Sequence, residues 1–467
     1  MSFDLLDNLS IKLIDGDRGK NYPKQSDFLV QGECLFLSAK NVTKNGFEFS
    51  DCTFISTEKD QQLRAGKLDR NDIILTTRGT IGNVALYDSK IDLNHIRINS
   101  GMIILRPNSN IWNPKFLYFL LNSELVKKQI SALTSGSAVP QLPARDLKKF
   151  VLPVIPLKRQ NRIVEIIGGI ADKIHVNNII NSTLEQMAQA LFKSWFIDFE
   201  PVKAKIAVLE AGGSQEEATL AAMTAISGKD ADSLADFAQN NPEKYAGLKA
   251  TAELFPSAMQ DIDLVKIPRG WRLVPLNNIA SFASGKINVS ELTKDTYIST
   301  ENMLVNKMGI ECATSLPSAR TTPSFNPEHI LISNIRPYFK KIWLARFSGG
   351  RSADVLAFEH KKHITAEYLY NILYQDSFFD FMMQTSKGVK MPRGDKKAIM
   401  EWSCIEPDTR LVKIFSNKVK EFYSYIESHN RENTLLSQLR DTLLPKLLSG
   451  EITLPEAEEI AKEADYV

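Results

Sequence analysis

Cysteine and histidine are scarce in this chain, long apolar runs are missing, and neither sign of charge prevails. The four cysteines, Cys34, Cys52, Cys312 and Cys404, are spread over the sequence without a CxxC pair. That spacing excludes a disulfide framework and a zinc ribbon and predicts reduced thiols in the core. Of six histidines only His360 and His363 stand close together, in "HKKH", with no further ligand type beside them. No metal centre is expected there, and the run reads as a solvated face. There is neither a twenty-residue apolar stretch nor a charged-then-apolar leader, which points to a cytoplasmic chain with no membrane contact. A formal net charge of +2 excludes a basic field over the whole molecule but not local basic patches.

Catalytic signatures are missing as well. Methyl transfer to adenine calls for an Asn/Asp-Pro-Pro-aromatic string and a glycine-rich cofactor loop. The nearest match, "NPKF" at Asn113, has Lys115 in place of the second proline and sits where a helix should begin. "GDRGKN" at Gly16 lacks the spacing of a phosphate-binding loop and the Ser or Thr after its lysine. No carboxylate and lysine cluster suggests a nuclease. The chain is expected to bind no cofactor and to catalyse nothing itself.

What is present is modular. With 467 residues, 43% hydrophobic and 24% charged, the chain is globular and too long for one ordinary core. From Ala207 to Asp261 the acids Glu210, Glu216, Glu217, Asp230, Asp232 and Asp236 outnumber the bases Lys229, Lys244 and Lys249, so the flanking regions are more basic than the total suggests. The run 214–253 inside this segment reads as one or two small helices.

The two sides of that segment repeat each other. "PLKRQNRI" from Pro156 and "PDTRLVKI" from Pro407 share Pro, Arg and Ile at an offset of 251, as do Thr183 and Thr434, and Leu184 and Leu435. "NPKFLYFLLNSE" from Asn113 matches "TAEYLYNILYQD" from Thr365, "FLSAKNV" from Phe36 matches "YISTENM" from Tyr297, and "LDNL" from Leu6 matches "LNNI" from Leu276. Each copy ends in a long apolar-periodic run. The first carries Ile163, Ile170, Ile174, Leu184 and Leu191, the second Ile414, Phe422, Leu436 and Leu443. About forty residues make a helix of roughly 60 Å, too long to bury its stripe in one small domain. The two helices are therefore expected to pack on each other as an antiparallel coiled coil, with the two domains at opposite ends. Asn178 and His429, again 251 apart, fall where both stripes turn polar and are expected to pair and set the register. Pro445 is expected to kink or end the second helix.

Each repeat opens with a mixed domain. "NDIILTTRGTIGNVALYD" predicts strands over 73–77 and 84–87 around a turn carrying Arg78, Gly79 and Thr80, and "HILISNIRPYFKKIWLARF" repeats the plan with Arg336 and Pro337 at the turn. Asn113 and Thr365 are the expected N-caps of the amphipathic helices that follow. After those helices come two polar segments, "TSGSAVPQLPARDLKK" from Thr134 and "TSKGVKMPRGDKKA" from Thr385. Small hydroxyls, backbone amides and cations together suit phosphate contact, and Arg, Gln and Lys side chains suit base edges. The DNA-binding candidates are Lys40, Asn41, Arg78, Thr80, Ser135, Ser137, Gln141 and Arg145 in the first repeat, and Asn334, Arg336, Lys340, Lys341, Lys387, Lys390 and Arg393 in the second.

Three strings placed around this repeat, "ALFKSWFIDFEPVKAK" from Ala190, "ELFPSAM" with "IPRGW", and "LRDTLLPKLLSGEI" from Leu439, are similar to those of the DNA-specificity (S) subunits of type I restriction-modification systems. The resemblance spans nearly the whole chain and implies an α+β fold. By that resemblance two target-recognition domains, at 1–155 and 263–406, are expected to be held apart by spacer helices at 156–202 and 407–450, with an acidic insert at 203–262 and a tail at 451–467. It implies a non-catalytic subunit that reads a bipartite, asymmetric site in double-stranded DNA and docks two adenine methyltransferase (M) subunits and restriction/translocase (R) subunits. S-adenosylmethionine is expected on those partners. The insert is longer than the resemblance leads one to expect. Two other readings fit the residues alone, a two-headed protein scaffold that never touches DNA and a divergent methyltransferase.

Overall fold

The computed structural model describes residues 2–44, 46–49, 51–134, 141–262, 265–388 and 390–464. Strands β1 (Ile11–Asp15), β2 (Ile73–Thr76), β3 (Val84–Leu86) and β4 (Met102–Pro107) precede helices α1 (Pro114–Leu121), α2 (Glu124–Leu133) and α3 (Leu157–Phe196). Four shorter helices follow, α4 (Glu200–Glu210), α5 (Gln215–Ser227), α6 (Ala231–Asn240) and α7 (Pro242–Leu254). The plan then recurs as β5 (Ala280–Phe282), β6 (Ile330–Ser333), β7 (Ile342–Leu344) and β8 (Val355–His360), with α8 (Ala366–Leu373), α9 (Asp376–Gln384), α10 (Thr409–Ser449) and α11 (Leu454–Ala464). The chain divides into two compact units, Met1–Asn178 with Asn430–Val467, and Ile179–His429, so each long helix gives one half to each unit.

In the first unit an antiparallel sheet has the order β1-β4-β2-β3. Its inner strands read as unbroken apolar runs because both faces are covered. Ile73, Leu75, Ile103 and Leu105 point into a helical layer, while Ile74, Met102 and Ile104 point the other way, onto Leu35, Leu37 and Ile98 of a small second sheet. That small sheet sets Cys34–Leu37 parallel to Ile96–Ile98. The second unit repeats the design with the order β5-β8-β6-β7. Ile330, Ile332, Leu356 and Phe358 face the helices, and Leu331, Val355 and Ala357 face away. Helices α1 and α8 begin at the expected caps: Asn113 Oδ1 accepts from the amides of Lys115 and Phe116, and Thr365 accepts from that of Tyr368.

The long helices differ from expectation in what seals them. Within the first unit Ile163, Ile166, Ile167 and Ile170 of α3 and Leu436, Leu443, Leu444 and Leu447 of α10 share one core with Phe116, Leu117 and Leu120 of α1. Within the second, Phe192, Trp195 and Phe196 of α3 and Leu411, Phe415 and Val419 of α10 share one with Tyr368, Leu369 and Ile372 of α8. A small domain cannot bury a whole helix of this length, yet each unit takes half. Ile174, Leu184, Leu191, Ile414 and Phe422 are half-buried.

Inside each unit the two helices run antiparallel. The Arg159 guanidinium donates to Leu447 O at 2.8 Å, and the Asn177 amide donates to Glu432 at 2.7 Å and Asn433 at 2.9 Å. In the second unit His429 Nδ1 lies 2.9 Å from Asn181 Oδ1, and the Phe192 and Phe415 rings are 5.7 Å apart. Within each unit the polar mid-helix residues thus meet across the helix pair, His429 with Asn181 in the second and Asn177 with Glu432 and Asn433 in the first. Asn178 is exposed and accepts from Asn433 Nδ2 at 2.9 Å. Asn177, about 100° further round the helix, is the buried one.

Pro445 does not end α10, which continues to Ser449. The proline removes one hydrogen bond, but Leu443, Leu444, Leu447 and Leu448 on either side of it are buried and hold the last turn down. The run 214–253 forms three helices, α5 to α7, around Ala222, Met223, Leu234 and Ala252, rather than one or two. The insert is anchored at both ends. Phe199, Val202 and Phe255 join Trp195, Phe196 and Trp271 in the core, and the buried Lys205 Nζ donates to Phe255 O at 2.7 Å, just beyond α7. Two of the signature strings meet in this one contact. Among the thiols Cys34 and Cys404 are buried, but Cys312 is exposed, contrary to a uniform core placement.

Candidate nucleic-acid interface

In the first unit the turn after β2 passes through Gly79 at φ +76° and Gly82 at φ +91°, a left-handed backbone that favours glycine. The amides of Thr77 and Arg78 both donate to Gly101 O, at 2.7 and 3.2 Å. The polar segment following α2 returns to this turn: Leu142 N–H donates to Thr77 O at 3.0 Å, which sets Arg78 opposite Gln141 in a bridge. Arg78 and Thr80 are exposed at the tip.

The second unit builds the same corner from different residues. Arg336 N–H donates to Pro392 O at 2.8 Å, Asn334 Nδ2 donates to Gly394 O at 3.2 Å, and Ile335 bridges Arg393. Lys387 and Arg393 exchange backbone hydrogen bonds of 2.9 and 3.0 Å, and Lys390 is exposed. In both units, then, the hairpin arginine and the post-helix segment, far apart in sequence, form one surface. A Cβ at position 394 would lie 2.8 Å from Asn334 Oδ1 and 2.9 Å from Ile399 Cδ1, so a larger residue there would displace those side chains.

The candidate cations fall into two groups. Lys40 pairs with Asp51 at 3.0 Å, Lys340 with Asp376 at 3.0 Å, Lys387 with Asp395 at 2.5 Å and Arg393 with Asp354 at 3.1 Å, while Arg145 lies 3.8 Å from Asp146. The Lys387 hydrogen bond, joined by backbone amides, holds the Asp395 carboxyl below its ordinary range. Burial lowers the pKa of Lys341, whose Nζ donates to Thr300 O at 2.6 Å. Arg78, Arg336 and Lys390, by contrast, make no ion pair among the described residues. Exposed pairs are worth little and exchange readily for phosphate, so both groups can meet DNA, but the other three carry charge that no ion pair among the described residues offsets.

Two candidates serve the fold instead. Asn41 is buried, its Oδ1 accepts from Ser38 N–H at 2.9 Å, and its Nδ2 donates to Glu48 O at 3.0 Å and Asp51 O at 2.9 Å. All its polar capacity is spent. Asn334 is likewise buried, although its Oδ1 has no partner among the described residues. Ser135 and Ser137 lie outside the described residues.

Three features escaped the sequence reading. Asn302 is the counterpart of Asn41, taking Ser299 N–H at 2.6 Å and donating to Glu311 O at 2.8 Å, and the shared Ser-x-x-Asn of "SAKN" and "STEN" was its visible signal. Arg97, on Ile96–Ile98, and Arg351, on the strand Gly349–Arg351 that runs parallel to Tyr297–Ile298, are both buried. Tyr338, beside Arg336, is 48% exposed.

Residues 13–186 match the family described as the type I restriction modification DNA specificity domain. The type I restriction enzyme HindI specificity subunit of Haemophilus influenzae is 30% identical over 94% of this chain and 98% of its own length. The chain belongs to the type I restriction enzyme specificity subunits. The MjaIX specificity subunit of Methanocaldococcus jannaschii is 22% identical over 83% of this chain and 79% of its own. The crystal structure of a type I S subunit from M. genitalium aligns over 96% of this chain and 95% of its own, at 16% identity and a TM-score of 0.43. A specificity subunit supplies the choice of DNA sequence within a complex of modification and restriction subunits and is not the catalytic component. Among the described residues no helix is long and apolar enough to cross a membrane, and no group of His, Cys, Asp and Glu is placed to hold a metal ion.

Proposed function

We propose that this specificity subunit reads a bipartite, asymmetric target in double-stranded DNA, one half with each unit, for two adenine methyltransferase subunits that the restriction/translocase subunits join. One observation carries the reading: the same strand order occurs twice, each time with an arginine that has no carboxylate partner among the described residues at the tip of the corresponding hairpin. Two copies of one reader imply two half-sites. Their unlike tips, Arg78-Gly-Thr against Arg336-Pro-Tyr, imply that the halves differ.

The chemistry follows from the side chains. Arg78, Gln141 and Arg145 would serve one half-site, and Arg336, Lys387, Lys390 and Arg393 the other, with bidentate arginine contacts to guanine as the strongest discriminators and lysines anchoring phosphate. On α3 the exposed Ile179, Ile180 and Met187 form an apolar stripe in the second unit, a surface suited to a methyltransferase subunit. S-adenosylmethionine belongs to that partner, and the complex works in the cytoplasm, where the DNA is.

The test is a map of methylated adenines in a genome that carries this chain with its partner subunits. A split motif with two unlike halves is expected. An uninterrupted or palindromic motif would overturn the reading, as would a complex that binds protein partners but retains no DNA at any salt concentration.

A further inference from the structure

We propose that Tyr338 is a specificity-determining residue of the second half-site, inserting its ring against a base step beside the Arg336 contact. This rests on the DNA-reading function above and adds the residue and the kind of contact.

The turn between β6 and β7 is built in an unusual way. Arg336 at φ 50° and Lys340 at φ 49° both take left-handed backbone without being glycine, and they bracket the single helical turn Pro337–Phe339. Such residues persist only where the surroundings over-determine them. Here the surroundings do so from three sides. Arg336 N–H is held by Pro392 O at 2.8 Å. The amides of Asn306 and Lys307, left-handed themselves, donate to Phe339 O at 2.8 Å and Lys340 O at 2.9 Å. Asp376 then receives both Lys307 Nζ at 2.7 Å and Lys340 Nζ at 3.0 Å. Burial alone would raise the Asp376 pKa, yet the two lysines bring it below its ordinary range, so the carboxylate clamp stays charged.

Within that fixed turn each neighbour of Tyr338 is committed. Pro337 is buried, Lys340 is ion-paired, and the Phe339 ring supports one side of the tyrosine, centroids 4.7 Å apart. Tyr338 alone in the turn is substantially exposed, at 48%, and its hydroxyl has no partner among the described residues. Met391, one residue before the Pro392 carbonyl that holds Arg336, is exposed to the same degree. Arg336 and Lys390 contribute unpaired positive charge. Protein-binding patches are depleted in lysine, which Lys340 and Lys390 supply here, whereas aromatic and apolar wedges set among cations are what unstacked base steps take. A tyrosine also loses little freedom on contact, having only two side-chain torsions. The first unit has glycine and threonine at its tip and no aromatic, so the effect should fall on one half-site only.

The experiment uses the chain assembled with its methyltransferase subunits and duplexes carrying the mapped target, with 2-aminopurine placed at each position of either half-site in turn. Wild type should raise fluorescence at one step of the second half-site. Tyr338→Ala should abolish that signal, lower methylation about tenfold and leave discrimination at the first half-site unchanged, while Tyr338→Phe should retain the signal. A selective wild-type complex whose Tyr338→Ala variant keeps the fluorescence and methylates within twofold overturns the assignment of Tyr338 alone. A wild-type complex without sequence preference overturns the underlying function, and this proposal with it.

Discussion

Arg97 is buried against Asp60, Nε to Oδ1, and its remaining donors go to the carbonyls of Ala65, Asp60 and Leu63. Its counterpart Arg351 is equally buried but meets only carbonyls, those of Ser324, Val355 and Ala283, with no carboxylate partner among the described residues. The second reader therefore holds a buried cation by dipoles alone, and burial lowers the Arg351 pKa accordingly.

That contrast predicts different costs. Arg97→Met strands the Asp60 carboxylate, leaving Lys67 at 2.8 Å as its remaining charged partner, and should destabilise the first unit by about 3–5 kcal/mol. Arg351→Met removes a charge without stranding another and should cost about 1–3 kcal/mol through three unpaired carbonyls. Urea titrations of the two variants would check this. Equal losses would mean that the Asp60 pair contributes nothing specific.

For helix register, Asn177→Leu is the informative change. It leaves Glu432 and Asn433 without a buried donor and should cost about 1–3 kcal/mol, whereas Asn178→Leu, on the exposed side, should stay within about 0.5 kcal/mol. Thermal transitions of both variants by circular dichroism separate the two positions.

Glu185 on α3 makes stability depend on pH. Burial pushes its carboxyl up to about 7, opposed by a Gln189 hydrogen bond and by the charges of Arg346 and Lys307. The folded chain therefore binds this proton more tightly than the unfolded one. The stabilisation is complete below the ordinary carboxylate range and is lost as pH rises through about 7. Glu185→Gln should stabilise by about 1–3 kcal/mol at pH 8 and change little at pH 5. Denaturation midpoints at the two pH values test the sign.

For DNA, Arg336→Ala in the assembled complex should weaken one half-site by about 1–3 kcal/mol if the guanidinium meets a base. A uniform loss over all sequences with a shallower salt slope would instead identify a phosphate contact. Binding isotherms on cognate and half-site-substituted duplexes at several salt concentrations distinguish the two.

Much of the architecture was written along the chain. The offset of 251 between Pro156 and Pro407 declared the duplication, and the period of 3.6 residues from Ile163 onward declared the long helices, because local periodicity records which side of an element is dry. The hairpin arginines were legible for the same reason: β-rich runs broken by glycine or proline can only turn there. What only the tertiary structure decided was which polar residue faces inward. Asn41 reads as a DNA-binding candidate and Asn178 as the residue that sets helix register, yet Asn41 is consumed by carbonyls brought back from Glu48 and Asp51, and Asn177 rather than Asn178 meets Glu432. The joining of Arg78 to Gln141 and of Arg336 to Pro392 was equally invisible, since the contacts run between segments separated by a sheet and two helices. Pattern along a sequence fixes the period of an element. Its phase, and therefore which side chains are left to meet DNA, is set by long-range hydrogen bonds and packing that no local window contains.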